Sequence, residues 1–266
     1  MTTKRERLRR RRRKRLLWRA RQCIFILACL MLVLALGSGI INLFRFHGAS
    51  SAEKQVLKHT NQYPDELVEL LKENEETEQF VADYSKYGNK HFKISLKSDY
   101  QEGEIPYLCQ WDKRWGYEKY NNSYLAIKGS APACLSMVSV GLTGDLNANP
   151  LAIAQYIEEN GYLTSKEEES PSFMTEGTEY FDVKGTEINV TKETMTTALE
   201  ANQPLIAQVK KGDFTKDKEH YIVIYDKDKK GNFKVHDPNS LQNSEKTWDF
   251  DTLEKQITHL WAYTVL

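Results

Sequence analysis

One stretch of the sequence has the features expected around a nucleophile, and it runs from Ile127 to Gly141. Its apolar residues recur at helical spacing, and Pro132 suits a first helical turn, where its missing N–H costs nothing. Ser130 then lies at the start of the helix, where backbone N–H groups and the positive end of the helix dipole converge. A nucleophile at such a place serves acyl-transfer chemistry, because the local field favours its anionic form.

Three further residues have types that fit such a site, although each also has an ordinary structural explanation. His220 lies on a predicted strand and is either a general base or a strand-edge residue with a satisfied ring. Asp237 precedes Pro238 and either orients an imidazole or closes a turn. Gln110 alone gives no signal, and Ser130 alone would be read as a helix N-cap.

The order of these residues resembles that of the papain-like cysteine peptidases, and within them the bacteriocin-processing, peptidase C39-like domains. Family members have a Gly-Cys-Gly-Pro-x-x-Leu-x-Met-Val type of motif, and residues 129–138 read Gly-Ser-Ala-Pro-Ala-Cys-Leu-Ser-Met-Val. The combination with Trp111-Asp-Lys-Arg-Trp-Gly-Tyr117, His220 and Asp237-Pro238 is fairly specific. The resemblance covers roughly Ile105 to Leu266, and the segment before it looks like the extension of membrane-anchored Gram-positive members.

The resemblance implies a role for each of the four residues. Ser130 occupies the nucleophile position, His220 is the general base, Asp237 orients the imidazole, and Gln110 donates to the oxyanion. The implied activity is hydrolysis of peptide bonds through an acyl-enzyme, without a cofactor or a metal ion. The implied fold is α+β, with a helical half and an antiparallel sheet.

Serine at position 130 departs from the family pattern, because the corresponding residue there is cysteine. A hydroxyl gains little from the field that ionises a thiol, so we expect most of the activity to be lost. Three explanations stay open: an engineered Cys→Ser substitution, a natural inactive homologue that binds peptides, or a true serine nucleophile. Cys134 lies one helical turn deeper, and we expect it to be a core residue or a disulfide partner of Cys109.

The charge of the chain is unevenly distributed although its formal total is zero. Residues 1–22 contain 12 basic groups and one acid, which leaves 25 basic and 36 acidic groups and a formal charge of −11 on the remainder. An acidic body argues against nucleic-acid binding. The run from Cys23 to Phe44 has 22 uncharged residues, enough to span a bilayer as a helix. Because the basic residues precede it, we expect an uncleaved anchor with a cytoplasmic N-terminus and an extracellular C-terminal domain; a cleaved signal peptide is the alternative.

The sequence predicts four regions: a basic cytoplasmic tail (1–22), a transmembrane helix (23–44), a stalk with a helical extension (45–104), and the peptidase C39-like domain (105–266). Within the extension, Tyr63–Tyr87 reads as a helical pair. In the domain, helices are expected from Pro150 with Asn149 as its cap, over Phe173–Phe181 and after Thr191. Four strands are expected, at Pro204–Val209, His220–Tyr225, Phe233–Asp237 and His259–Val265. Helices followed by strands favour an α+β fold.

Three functions are consistent with this sequence. The first is a cysteine-type peptidase site that now has serine at position 130, acting on a peptide or protein substrate. The second is a non-catalytic module that holds a peptide or a cell-envelope peptide. The third is an interaction protein whose helical pair and acidic surface recruit an envelope partner.

Overall fold

A computed structural model describes residues 50–164, 169–170, 172–216 and 219–266. The chain divides into two units, Met1–Lys54 and Gln55–Leu266. The predicted basic tail and transmembrane helix lie outside the described residues. Among the helices that are described, none combines the length and the apolar character needed to cross a bilayer.

The described residues from 51 to 87 form four short helices, whose apolar side chains pack in a small core shared with the following domain. The helices are α1 (Ser51–Lys58), α2 (Asp65–Glu73), α3 (Glu78–Ala82) and α4 (Tyr84–Tyr87), with 3-10 turns at Thr60–Gln62 and Glu75–Thr77. Helix α2 begins after Pro64 and buries one apolar face, as its spacing predicts. That face packs with Phe80 and Val81 against Tyr117 and Tyr124 of the following domain, within the same compact unit.

The predicted buried helix is present as α6 (Ser130–Thr143), between the short helix α5 (Leu125–Lys128) and α7 (Pro150–Glu159). A small hairpin, β1 (Lys119–Tyr120) and β2 (Ser123–Tyr124), precedes α5. Every residue of α6 from Ser130 to Val140 is buried, so the helix is covered on all sides. Gly144, with φ 73°, ends α6 in the left-handed conformation that glycine adopts easily.

Six antiparallel strands form the sheet beside α6. They are β3 (Val183–Glu187), β4 (Leu205–Val209), β5 (His220–Lys227), β6 (Phe233–His236), β7 (Thr247–Trp248) and β8 (Ile257–Val265), in the order β3-β8-β4-β5-β6-β7. One face of the sheet packs on α6 and α7 through residues such as Ile206, Val223 and Trp261. The other face packs on α8 (Lys192–Glu200) and α10 (Phe250–Glu254). Helix α9 (Leu241–Ser244) follows β6.

The α+β class predicted from the sequence is confirmed, with differences in the elements. Strand β3 was not predicted, because its charged residues hide a pattern in which only Val183 and Gly185 are buried. The helix expected over Phe173–Phe181 is a 3-10 turn at Gly177–Phe181. The asparagine cap of α7 is as predicted, since the Asn149 side chain accepts from Ala152 N–H at 3.1 Å.

Candidate functional site

Ser130 is the first residue of α6, directly after Gly129. Its side chain is buried, and Oγ accepts a hydrogen bond from the backbone N–H of Tyr221 at 3.3 Å. Tyr221 is the second residue of β5. The start of the helix and the start of the strand are therefore in direct contact, and residue 220 lies beside position 130.

His220 and Asp237 form a buried pair at the ends of neighbouring strands. His220 begins β5, Asp237 follows β6, and His220 Nε2 lies 2.7 Å from Asp237 Oδ1. An ionised carboxylate only accepts hydrogen bonds, so Nε2 is the protonated nitrogen and Nδ1 has the lone pair. This tautomer is the one that a general base acting through Nδ1 requires.

Asp237 is fully buried, and both of its oxygens are held by residues that the sequence did not single out. Oδ1 also accepts from Asn239 N–H at 2.9 Å, and Oδ2 accepts from Asn243 Nδ2 at 2.9 Å. The backbone N–H of Asp237 donates to Ser244 Oγ at 2.9 Å. A buried charge needs such partners, and together they fix the direction in which the carboxylate faces His220.

Gln110 connects the segment after β6 with α5. Its backbone N–H donates to Pro238 O at 2.8 Å, and its Nε2 donates to Ala126 O at 2.9 Å. An amide nitrogen has two N–H groups, so the second is available to an oxyanion. The Oε1 atom is buried without a hydrogen-bond partner.

Gln110, Ser130 and His220 line one cleft of about 610 Å³, a size suited to several residues of a peptide. Asp237 lies behind His220 and does not line the cleft. Within the described residues no hydrogen bond joins Ser130 Oγ to the ring of His220. The structure thus brings together all four residues that the sequence had grouped, and their catalytic roles stay predictions.

Carboxylates lie at one end of this cleft. Glu169 accepts from Tyr120 Oη at 2.8 Å, and burial raises the pKa of Glu169. The neighbouring charge of Glu219 acts on that pKa in the same direction. Glu219 itself accepts from Gln208 Nε2 at 2.8 Å. Among the described residues, no group of three or more His, Cys, Asp or Glu side chains is arranged to hold a metal ion.

The two cysteines of the domain are free, so the disulfide considered for Cys109 and Cys134 is not formed. Cys134 is fully buried in the core of α6, and burial raises the pKa of its thiol well above the ordinary value. A thiol with a raised pKa is mostly protonated and unreactive. The prediction that Cys134 is a core residue is therefore confirmed, and it offers no displaced nucleophile.

His236 is next to Asp237 in sequence but points to the other face of the sheet, as the alternation of a strand requires. Its ring stacks on Tyr225 with centroids 4.1 Å apart, and Nε2 bonds to Ile105 O at 3.0 Å. Because a carbonyl only accepts, Nε2 is the donor, and Nδ1 is buried without a partner. Burial lowers the pKa of His236 from 6.5 to about 4.

This lowered pKa predicts a loss of stability in acid. Between the unfolded pKa of 6.5 and the folded pKa of about 4, the unfolded chain binds the extra proton, so stability falls as pH drops through that window. The full effect is about 3 kcal/mol. The free energy of unfolding in urea, compared across this pH window, should fall by that much more for the unchanged chain than for His236→Gln. The glutamine amide still donates to Ile105 O. Parallel pH dependence of the two chains would contradict the assignment.

A search of the curated proteins returned no match to this chain. A family model does match it, over residues 102–265, and its description is Peptidase_C39 like family. The matched range contains Gln110, Ser130, His220 and Asp237, and it begins after the upstream helices. Since the match spans more than half of the 266 residues, the chain belongs to the Peptidase_C39 like family.

Proposed function

We propose that the cleft is a peptidase site of the papain-like type, in which Ser130 holds the nucleophile position and peptides are retained with little or no cleavage. The observation on which this rests is the buried His220–Asp237 pair next to the amino end of α6, with His220 and Ser130 lining the same cleft. Membership of the C39-like family supports a peptide or protein as the substrate.

In the thiol form of such a site, each residue has a definite task. The imidazole takes the proton of the nucleophile at Nδ1, while Asp237 holds the protonated Nε2. The nucleophile adds to the peptide carbonyl, and the second N–H of the Gln110 amide donates to the oxyanion. The imidazolium then protonates the leaving amine, and water hydrolyses the acyl-enzyme with the same imidazole as base.

Serine fits this sequence of steps poorly, for two reasons. A hydroxyl ionises far less readily than a thiol, so it needs a base already in hydrogen-bond contact. Here the hydrogen bond to Ser130 Oγ comes from Tyr221 N–H, and the ring of His220 makes none. The cleft can still hold a peptide, because the walls and the oxyanion donor are intact.

The test of this proposal is to incubate the chain with a mixed peptide library and identify retained and cleaved peptides by mass spectrometry. We expect selective retention by the chain with Ser130 and cleavage by Ser130→Cys. Retention by both chains without cleavage would favour the non-catalytic module. Neither retention nor cleavage, with the fold intact, would contradict the proposal.

We further propose that Cys23–Phe44 anchors the chain in the membrane, with residues 1–22 in the cytoplasm and the C39-like domain outside. The support is the uncharged run of 22 residues and the 12 basic groups before it. Envelope proteins or peptides are then the accessible partners. Protease added to intact cells should digest the domain and spare the tail. A domain that stays protected until the cells are lysed would contradict this orientation.

A further inference from the structure

Two side chains upstream of the family-matched region bind the segment that follows Asp237 and donates to its carboxylate. We call residues 238–243 the Asp237 loop. Glu76 accepts from the backbone N–H groups of Leu241 at 2.8 Å and Gln242 at 3.2 Å, and also from Ser240 Oγ. Asn74 donates through Nδ2 to Asn239 O at 2.6 Å. The Glu76 carboxylate thus caps the first turn of α9.

These contacts act on the atoms that orient the catalytic pair. The Asp237 loop supplies Asn239 N–H and Asn243 Nδ2, which are the two donors to the Asp237 carboxylate other than His220. Ser240 Oγ, which donates to Glu76, also accepts from Asn243 N–H at 3.1 Å. A continuous chain of hydrogen bonds therefore runs from Glu76 through the loop to Asp237, and from Asp237 to His220.

The upstream helices are joined to the domain by packed and hydrogen-bonded side chains, so they can support the site. The rings of Phe80 and Tyr117 stack at 4.2 Å, and Tyr117 Oη donates to Phe80 O at 2.5 Å. Leu70, Glu73 and Asn74 line the cleft directly. On the opposite side of the cleft, Lys216 Nζ donates to Glu73 O at 3.1 Å. The end of α2 and the residue after it are thus part of the wall of the site.

We propose that Glu76, assisted by Asn74, is a positioning residue for the His220–Asp237 pair, and that the upstream helices are part of the catalytic unit. This inference rests on the proposed function. It extends that function beyond the family-matched residues 102–265. The chemistry involved is charge-assisted hydrogen bonding, which is strong and directional enough to fix a loop.

The test uses the full chain with Ser130→Cys and follows alkylation of position 130 by iodoacetamide against pH, with mass spectrometry to assign the adduct. Glu76→Ala should raise the midpoint of this profile by about one pH unit, because a misplaced imidazole stabilises the thiolate less. Glu76→Gln keeps an acceptor for the α9 N–H groups, so its midpoint should lie between those of the Ser130→Cys parent and Glu76→Ala. Glu75→Ala is the matched control, since Glu75 is the exposed neighbour of the same type.

The outcomes separate the two proposals. An unchanged profile for Glu76→Ala, with an activated thiol in the parent, would overturn the positioning role alone. A parent thiol that titrates like a free cysteine would overturn the proposed function and this inference with it. A raised midpoint in Glu76→Ala, with Glu75→Ala unchanged, would support both. Circular dichroism of each variant confirms that the comparison is between folded chains.

Discussion

Ser130→Cys is expected to raise peptide hydrolysis at least about 10³-fold over the chain with Ser130, because loss of a nucleophile in a triad costs on the order of 10⁶ in kcat. The new thiol would lie at the amino end of α6 beside His220, where both the helix field and the imidazolium favour the thiolate. The pH midpoint of its alkylation should therefore fall below that of an ordinary thiol, which is about 8.5.

The chain with Ser130 is the control for this experiment, since it retains all four cysteines and shows their background labelling. The substitution replaces one oxygen by one sulfur in a buried position, so we expect only a small change in thermal stability. An alkylation profile like that of a free cysteine, together with no gain in hydrolysis, would show that the site lacks an activating base.

Asp237→Ala in the Ser130→Cys background is expected to lower kcat by about 10⁴-fold, the order of loss found when the orienting acid of a triad is replaced. The substitution removes the carboxylate that accepts from His220 Nε2, Asn239 N–H and Asn243 Nδ2. The imidazole can then adopt the other tautomer or rotate out of reach of the nucleophile.

Asp237→Asn separates orientation from charge in the same assay. The asparagine amide oxygen can still accept from Nε2, so an orienting role predicts a smaller loss than alanine causes. Asp251→Ala is the matched control, because Asp251 is an exposed acid of α10. Equal activity of Asp237→Ala and the control would contradict any role for Asp237 in orienting His220.

The sequence was most informative where chemistry and local structure coincide. Gly129, Pro132 and the apolar spacing predicted the start of α6 and with it the place of Ser130. Alternation along β6 is a local rule too, and it turns His236 away from the cleft, where its ring packs on Tyr225. These features depend on neighbours in the chain, so local rules suffice to find them.

The contacts that complete the site depend on pairing between distant segments, which local patterns do not encode. Glu76 lies more than 160 residues before the loop that it binds. Asn239 and Asn243 have side chains typical of any turn, and only the closeness of Asp237 gives them a role. The signal that could have suggested Asn243 is its place six residues after Asp237, in a short helix.

Strand β3 was not predicted from the sequence because of its polar residue pattern. Met174 O lies 2.0 Å from where a Cβ would stand on Gly185, so the strand needs glycine at this point for the backbone to approach. Such a close approach is a property of the folded chain, and the sequence shows only a glycine between charged residues.

The most direct measurement is to treat Ser130→Cys with a peptidyl chloromethyl ketone and to locate the adduct by mass spectrometry. The account predicts one adduct, at position 130, which forms in Ser130→Cys. The yield of this adduct should fall strongly when His220→Ala is added to Ser130→Cys. An adduct at Cys109 or Cys134, or an adduct at position 130 that forms equally well without His220, would contradict a peptidase site assembled around the amino end of α6.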